Sequence, residues 1–253
     1  PGLRRFAALP AGPVRGMYRA SNDRVLTVGG DSLYELLLGG TAVARGHLQT
    51  DEGIVNMTDD GNVLTLVDGP NGYLYTFATG AFARITDPDF MGATHVGFLD
   101  GLTIFAGNGS GRFQWSALLD PGNIDGLNFA TAEARPDPLV AMVIVHRELW
   151  LLGSQSFEVW FHSGDATNPL QRIQGAVGDL GCVAPYSAIA YADGITWLAQ
   201  EVQGGYAQVL ATSYQPARIS THAVEYAIAQ YSHVDDAVAF AFTLEGHRFL
   251  YTS

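Results

Sequence analysis

The sequence contains no lysine, and all 13 of its basic residues are arginines. Because aspartate and glutamate together number 25, the formal net charge at pH 7 is −12. A protein that holds nucleic acid by neutralising phosphates needs a concentrated basic face, and no stretch of this chain supplies one. We therefore do not expect tight wrapping of nucleic acid, although an acidic wall can face DNA that must pass without sticking.

Cysteine and long apolar runs are scarce as well. Cys182 is the only cysteine, so no intrachain disulfide can form, and a zinc site would need histidine and carboxylate ligands alone. The longest apolar run, residues 138–145, is far shorter than the roughly 20 residues of a membrane-spanning helix. No signal-peptide pattern opens the sequence. We expect a chain that is soluble when it is made and has no membrane partner.

Glycine and strand-forming residues, by contrast, are abundant. The chain has 30 glycines among 253 residues, and 47% of its residues are hydrophobic. Tyrosine, phenylalanine, valine and threonine favour strands, while glycine favours the tight turns between them. The composition therefore predicts an all-β fold built from many short strands.

A turn followed by an apolar strand recurs at intervals close to the period of about 40 to 50 residues that propeller blades show. An Asp-Gly pair between apolar runs is a strong hairpin signal, because a type I′ turn needs positive φ at both central positions. After each of these segments, a second glycine-containing break leads into a third strand with alternating large side chains. The turn-and-strand segments are residues 22–28, 59–67, 100–105, 146–152 and 193–198.

The fourth strand of most repeats carries an arginine beside an apolar residue. These arginines are Arg45, Arg84, Arg172 and Arg218. Four matches in register indicate a repeated structural unit. We interpret each arginine as the partner of a carboxylate or a carbonyl at the edge of a sheet. A ring of arginines that grips a ligand is the alternative.

The repeats predict a six-bladed β-propeller of four-stranded antiparallel blades, with residues 1–253 forming a single body. Five units are complete, and a sixth contributes only its first two strands. Because an open ring would expose strand edges, we expect polypeptide outside this sequence to supply the missing strands. The units span about 16–48, 53–86, 94–134, 139–177 and 185–230, with the partial unit at 237–253.

Units three and four contain longer insertions than the others, at residues 118–139 and 162–187. Insertions in repeat proteins generally map to loops on one face, where partners bind. We predict that these two segments form contact surfaces.

Residues 148–161 contain a candidate catalytic acid pair. Glu148 and Glu158 lie on adjoining strands of one predicted hairpin, each two residues before a tryptophan. A glycosidase needs two carboxylates about 5 to 10 Å apart, in a pocket that raises the pKa of one of them. The sequence shows no sign of such a pocket, so we interpret both glutamates as sheet carboxylates that pair with arginine.

No other motif indicates catalysis or a bound cofactor. The seven histidines show no metal-binding spacing, and the glycine-rich residues 107–112 lack the lysine of a phosphate-binding loop. The aspartates at 58–62 and 86–90 lack the remaining ligands of a calcium loop and fit ordinary turns. No serine lies in a Gly-x-Ser-x-Gly motif. We therefore predict no enzyme activity, no catalytic residue, no cofactor and no metal site.

An ordered block in the middle of the chain carries a family resemblance. Its segments are "NFATAEARPDPLV" at 128–140, "RELWLLGSQSFEVWFHSGD" at 147–165, "LQRIQGA" at 170–176 and "GCVAPYS" at 181–187. The block resembles the packaged-DNA stabilisation proteins of short-tailed bacteriophages (podoviruses), the tail hub or nozzle family. Leu170 stands where an aromatic residue is usual, and His146 where glycine is usual. Histidine tolerates left-handed geometry better than most residues, so a turn at His146 is compatible with the pattern.

The resemblance implies a virion structural protein of the tail, assembled in the host cytoplasm as a homo-oligomeric ring of six copies. The implied partners are the portal adaptor (head-to-tail) protein, the tail needle, the tailspikes and double-stranded DNA that passes through the lumen without sequence-specific binding. The ring would close the portal channel, stabilise packaged DNA and guide DNA ejection. No enzymatic residue is carried over, because the matched segments consist of fold-forming positions.

Two other functions stay open at the level of the sequence. A propeller enzyme acting on carbohydrate would place acids and aromatic residues at the axial mouth, and the chain has both. A cellular scaffold of the WD type would show repeated Gly-His and Trp-Asp dipeptides, which this sequence lacks.

Overall fold

The computed structural model describes residues 5–132, 135–200 and 204–253. Within these residues the chain forms five four-stranded antiparallel sheets and one two-stranded hairpin. Strand order follows chain order in every sheet, so each sheet is a meander. The predicted all-β fold of four-stranded blades is confirmed.

The strands are short and follow one another closely. The first sheet contains β1 Val14–Arg19, β2 Val25–Gly29, β3 Ser32–Leu36 and β4 Ala42–His47. The second contains β5 Asn56–Asp59, β6 Val63–Val67, β7 Gly72–Thr76 and β8 Phe82–Arg84. The third contains β9 His95–Leu99, β10 Leu102–Ala106, β11 Arg112–Trp115 and β12 Phe129–Thr131.

The remaining sheets continue the same pattern. The fourth contains β13 Leu139–Val145, β14 Glu148–Gly153, β15 Phe157–His162 and β16 Leu170–Gly178. The fifth contains β17 Ile189–Tyr191, β18 Gly194–Gln200, β19 Tyr206–Ala211 and β20 Pro216–Arg218. The hairpin consists of β21 Ala239–Leu244 and β22 His247–Thr252.

Two helical segments occur among the described residues. One is the 3-10 turn Pro185–Ser187, and the other is helix α1, His222–Ile228, in the connection that follows β20. The strand repeat does not predict α1. Seven residues are too few for a helical apolar period to stand out, and none of them is buried.

The predicted turn with positive φ at both central positions occurs at 100–101 and 146–147, whereas each of the other three repeated turns has a single positive-φ residue: Asp23, Gly61 and Ala192. His146 and Arg147 both have positive φ, 52° and 63°, which allows a tight turn without glycine. In the fifth sheet Tyr191 pairs with Gly194, so the turn lies at 192–193 and Gly194 belongs to the strand. A Cβ atom at Gly194 would lie 1.9 Å from the carbonyl oxygen of Ala211. Glycine is therefore needed there for close strand approach, not for the turn.

The chain divides into two compact units, and the boundary runs through the third sheet. The first unit comprises Pro1–Asn108 and Gln114–Phe129, and the second comprises Gly109–Phe113 and Ala130–Ser253. Each unit has a core between neighbouring sheets.

In the first unit, the first two sheets pack face to face. Leu26 and Val28 of the first sheet share a buried cluster with Leu64, Leu66 and Tyr73 of the second. Each such side chain contributes about 1.5–3 kcal/mol through removal from water. The alternation of buried and outward residues along these strands is what places them on one face.

In the second unit, the fourth and fifth sheets pack in the same way. Trp150, Phe157 and Val159 of the fourth sheet contact Trp197 and Val209 of the fifth within one buried cluster. The Trp150 and Phe157 rings stack at 5.6 Å, and Trp197 meets Phe157 edge-on at 5.8 Å. The tryptophans of this region thus contribute to packing between sheets.

The first strands of neighbouring sheets lie side by side within each unit. Strand β5 lies beside both β1 and β9, and β17 lies beside both β13 and β21. Successive sheets therefore meet at their first strands and along their faces, as propeller blades do.

Candidate functional site

The two glutamates of the β14–β15 hairpin lie on opposite faces of their sheet. Glu148 pairs with Phe161, and Glu158 pairs with Leu151. Paired residues share a face, whereas residues an odd number of positions apart on one strand point to opposite faces. Because Glu148 and Leu151 are three positions apart, the sheet itself separates the two carboxylates. They cannot flank one scissile bond, so a glycosidase mechanism has no support from this pair.

Glu158 is a buried structural carboxylate. It is 1% exposed, and its Oε1 accepts a hydrogen bond of 2.7 Å from the indole nitrogen of Trp160. Arg172 Nη1 lies 3.5 Å from its Oε2. A buried carboxylate is tolerated only when its charge and its acceptors are satisfied. The predicted pairing of Glu158 with an arginine is confirmed.

Glu148 has a different partner from the predicted arginine. The hydroxyl of Tyr214 donates a hydrogen bond to Glu148 Oε1. Tyr214 follows β19, so this bond ties the fourth sheet to the fifth. The hydrogen bond to Glu148, together with burial, raises the pKa of Tyr214 to about 12 and keeps the phenol protonated. The prediction for Glu148 was wrong because its partner lies 66 residues away, beyond any local pattern.

Two of the four repeated arginines pair with glutamates on the adjacent third strand. Arg45 Nη2 lies 2.6 Å from Glu35 Oε2, and Arg45 Nε donates to the same oxygen at 2.9 Å. Glu35 is 7% exposed. Arg172 makes the equivalent contact with Glu158 in the fourth sheet. These are the cross-strand ion pairs that the sequence predicts.

The other two repeated arginines find partners elsewhere. Arg218 Nη1 lies 3.3 Å from Glu225 Oε2 on helix α1. Arg84 Nη1 lies 3.5 Å from the side-chain oxygen of Asn71. All four arginines thus have partners within the protein. The geometry favours sheet-edge contacts over a ligand-gripping ring.

Asp59 joins the first and second sheets. Its carboxylate accepts hydrogen bonds from the Tyr18 hydroxyl at 2.9 Å, the Ser21 amide at 3.0 Å, the Gly61 amide at 2.9 Å and the Ser21 hydroxyl. Burial alone would raise the pKa of this carboxyl, but the hydrogen bonds outweigh burial and lower it below the ordinary 3.8. Burial and Asp59 in turn raise the pKa of Tyr18 to about 12. Asp59 therefore serves a turn and a sheet contact.

The described residues contain no group of three or more histidine, cysteine, aspartate or glutamate side chains placed to hold a metal ion. Cys182 is buried with its Sγ 3.1 Å from the Ala184 carbonyl oxygen, and burial raises the pKa of its thiol to about 12. This thiol has none of the thiolate character that a nucleophile needs. The glycine-rich residues 107–112 lie at the turn between β10 and β11.

The aspartates at 86–90 hold the loop between β11 and β12. Asp87 Oδ2 accepts the amide of Ile124 at 3.1 Å, and Asp89 Oδ2 accepts the amide of Gly126 at 3.1 Å. We call residues 116–128 the leucine loop, because three of its leucines are exposed: Leu118, Leu119 and Leu127.

The two predicted contact segments differ in structure. In the segment 118–139, the leucine loop supplies residues 118–128, β12 follows, and residues 133–134 lie outside the described part of the chain. Much of the segment 162–187 is instead part of the fourth sheet, because β16 runs over nine residues, Leu170–Gly178. What remains outside the strands includes the exposed turn 164–168. That both segments bind partners stays a prediction.

The β21–β22 hairpin exposes aromatic side chains on one face. Phe240 pairs with Tyr251 and Phe242 pairs with Phe249, with ring centroids 5.0 and 5.1 Å apart. These four rings are between 43% and 52% exposed.

Among the described residues, no helix is long and apolar enough to span a membrane.

Solved structures with little sequence similarity share the fold of this chain, and no curated protein matches the sequence. PorZ, a surface component of the type-IX secretion system of Porphyromonas gingivalis, has 13% identity and a TM-score of 0.54 over 92% of this chain. The chain spans only 30% of the length of PorZ. A structure from a nidogen/laminin complex has 10% identity and a TM-score of 0.53, covering 83% of this chain and 81% of the other. At such identities the likeness shows the fold alone.

A protein-family model identifies the chain more specifically. The model described as "Bacteriophage P22 Gp10, beta-propeller" matches residues 1–253. Its fold agrees with the four-stranded sheets described above, and its phage origin agrees with the resemblance seen at residues 128–187. The chain therefore belongs to the bacteriophage P22 Gp10 β-propeller family of phage DNA-stabilisation proteins.

Proposed function

We propose that this chain is the subunit of a tail hub that closes the portal channel of a short-tailed phage and stabilises the packaged DNA. The observation that carries the proposal is the family match over residues 1–253. The side chains of the described residues support a structural role. Glu148 and Glu158 are the acids most suggestive of catalysis, and each accepts a hydrogen bond from an aromatic side chain of the protein.

The net charge of the chain supports a channel wall past which DNA can move. At −12, with no lysine, the protein repels a duplex and gains nothing from counterion release. Arg45, Arg172 and Arg218 contact carboxylates of the protein, which lowers their attraction for phosphates. In the proposed hub, the ring and a plug retain DNA by closing the channel. During ejection, DNA does not have to dissociate from the channel wall.

The proposed assembly is a ring of six identical copies between the portal adaptor and the tail needle, with tailspikes attached to its outside. A ring requires a heterologous interface, in which two different surfaces of one subunit meet on neighbouring copies. Exposed aromatic side chains on the β21–β22 hairpin supply a candidate surface for these contacts.

The experiment is to produce phage particles in which the gene for this chain is interrupted and to measure the DNA that they keep. We expect capsids that package DNA but lose it before purification, with complementation by the intact gene restoring retention. Particles that lack the chain yet hold their DNA and infect cells at normal titre would refute the proposed function.

A further inference from the structure

The leucine loop presents an apolar surface to solvent. Leu118, Leu119 and Leu127 are 67%, 62% and 82% exposed, and Phe129 just after the loop is 39% exposed. Single exposed apolar side chains are ordinary on protein surfaces, whereas several large ones on one short loop make that loop a candidate interaction site.

The loop is held in a fixed conformation. Ile124 is 3% exposed and packs in the core of the first unit, while its amide donates to Asp87. Leu119 adopts a φ of 54°, in which its amide donates to the Gly101 carbonyl oxygen at 2.7 Å. A loop that is already ordered loses less conformational entropy when a partner binds, so its leucines can contribute more of their burial energy to affinity.

The charge around the leucines is acidic. Asp120 and Asp125 lie within the loop and are exposed, and the loop contains no basic residue. Arg112 is the only basic residue between Arg84 and Arg135. A complementary surface carries lysine or arginine around apolar side chains. Like charge disfavours DNA at this loop. A second copy of this chain offers no lysine, and its Arg45, Arg172 and Arg218 already contact carboxylates of their own chain.

We infer that the leucine loop is the docking site for a different virion protein, one whose surface presents apolar side chains ringed by lysine or arginine. The leucines pack against the apolar side chains of that surface, and Asp120 and Asp125 face its lysine or arginine side chains. This inference rests on the proposed function and deepens it, because it assigns the binding of one other virion protein to one loop of the hub.

Photo-crosslinking within virions tests the inference. Leu127 is replaced by p-benzoylphenylalanine in phage-infected cells, the virions are purified and irradiated, and the crosslinked peptides are identified by mass spectrometry. The control places the same photo-crosslinker at Leu38, a fully exposed leucine in the β3–β4 loop of the first sheet, where residues 37–41 carry no charge. We expect a crosslink from position 127 to a basic, apolar site on another virion protein, and none from position 38 to that site.

The remaining outcomes are distinguishable. Virions that contain the chain but give crosslinks from position 127 only to a second copy, to DNA or to nothing would overturn the inference and leave the hub function standing. Absence of the chain from virions would overturn both.

Substitutions give a second test that does not depend on the crosslinker. Leu118→Ser with Leu127→Ser should lower the amount of the crosslinked partner per virion about tenfold, as expected for the loss of an apolar hot spot. Leu38→Ser should leave it unchanged, and the thermal unfolding of both purified variants should match that of the wild type. Normal partner content in the double variant would contradict a docking role for the leucines.

Discussion

Buried carboxylates stabilise contacts between strands and sheets in this chain. Glu35 and Glu158 are 7% and 1% exposed, and each has an arginine from the neighbouring fourth strand. Asp59 and Glu148 accept hydrogen bonds from tyrosines of an adjacent sheet. At the scale of single residues, the candidate catalytic acids Glu148 and Glu158 are explained by hydrogen bonds and an ion pair within the protein.

Replacing Glu158 by alanine should destabilise the protein by about 1–3 kcal/mol, the cost of leaving a partly buried donor without an acceptor. The indole N–H of Trp160 loses its acceptor, whereas Arg172 is 45% exposed and can turn to water. Urea denaturation measures the change in the free energy of unfolding. The control Glu158→Gln keeps an acceptor for Trp160 and should cost less. An alanine variant as stable as the wild type would show that this carboxylate is not a structural partner.

The lowered pKa of Asp59 predicts an acid-sensitive contact between the first two sheets. Its folded pKa lies below the ordinary 3.8, so its contribution is fully present above that value and is lost as the pH falls through the folded pKa. Asp59→Asn should therefore lower the melting temperature most at neutral pH, and the difference from the wild type should shrink below pH 3.8. Thermal melting curves of both proteins, from neutral pH to below pH 3.8, measure how this difference in melting temperature changes with pH. A difference that stays constant down to the lowest pH would argue against the contact.

At the scale of elements, strands and turns could be predicted from the sequence because their signals are local. Alternating large side chains and turn residues identified the five four-stranded sheets and the hairpin. The exceptions have physical causes. Gly194 was assigned to a turn although the approach of Ala211 requires it in a strand, and helix α1 is too short to show a period.

Contacts between sheets could not be predicted, because they join residues far apart in the sequence. The Tyr214 hydroxyl meets Glu148 across 66 positions, and Asp87 holds the amide of Ile124 across 37. The repeated arginines were recognisable as partners of acids, but Arg218 contacts a glutamate of the unpredicted helix.

A close contact at Gly46 gives a prediction at this scale. A Cβ atom at Gly46 in β4 would lie 2.2 Å from the Phe82 ring of the next sheet, and that ring stacks on Tyr73 at 5.6 Å. Because the ring cannot move without disturbing Tyr73, Gly46→Ala should destabilise the protein by about 1–3 kcal/mol. The control Gly205→Ala adds a Cβ atom with no neighbour within 4 Å. Equal melting temperatures for the two variants would contradict this packing.

At the scale of the whole molecule, the net charge predicts weak binding to DNA. With a net charge of −12 we expect the purified chain to bind a labelled DNA duplex more weakly than about 10⁻⁴ M at physiological salt. Fluorescence anisotropy at two salt concentrations measures this, with a lysine-rich DNA-binding protein as positive control. Micromolar binding that weakens steeply with added salt would reveal a basic surface and contradict the account of the channel wall.

We expect this chain to form a ring on the tail axis, and cryo-electron microscopy of purified particles is the sharpest test of that position. The reconstruction is focused on the tail, and the chain carries a small fused tag whose density can be recognised. We expect six tagged copies with four-stranded blades in a ring on the tail axis, directly below the portal and its adaptor. Virions without the chain, or with the tag located away from that axis, would contradict it.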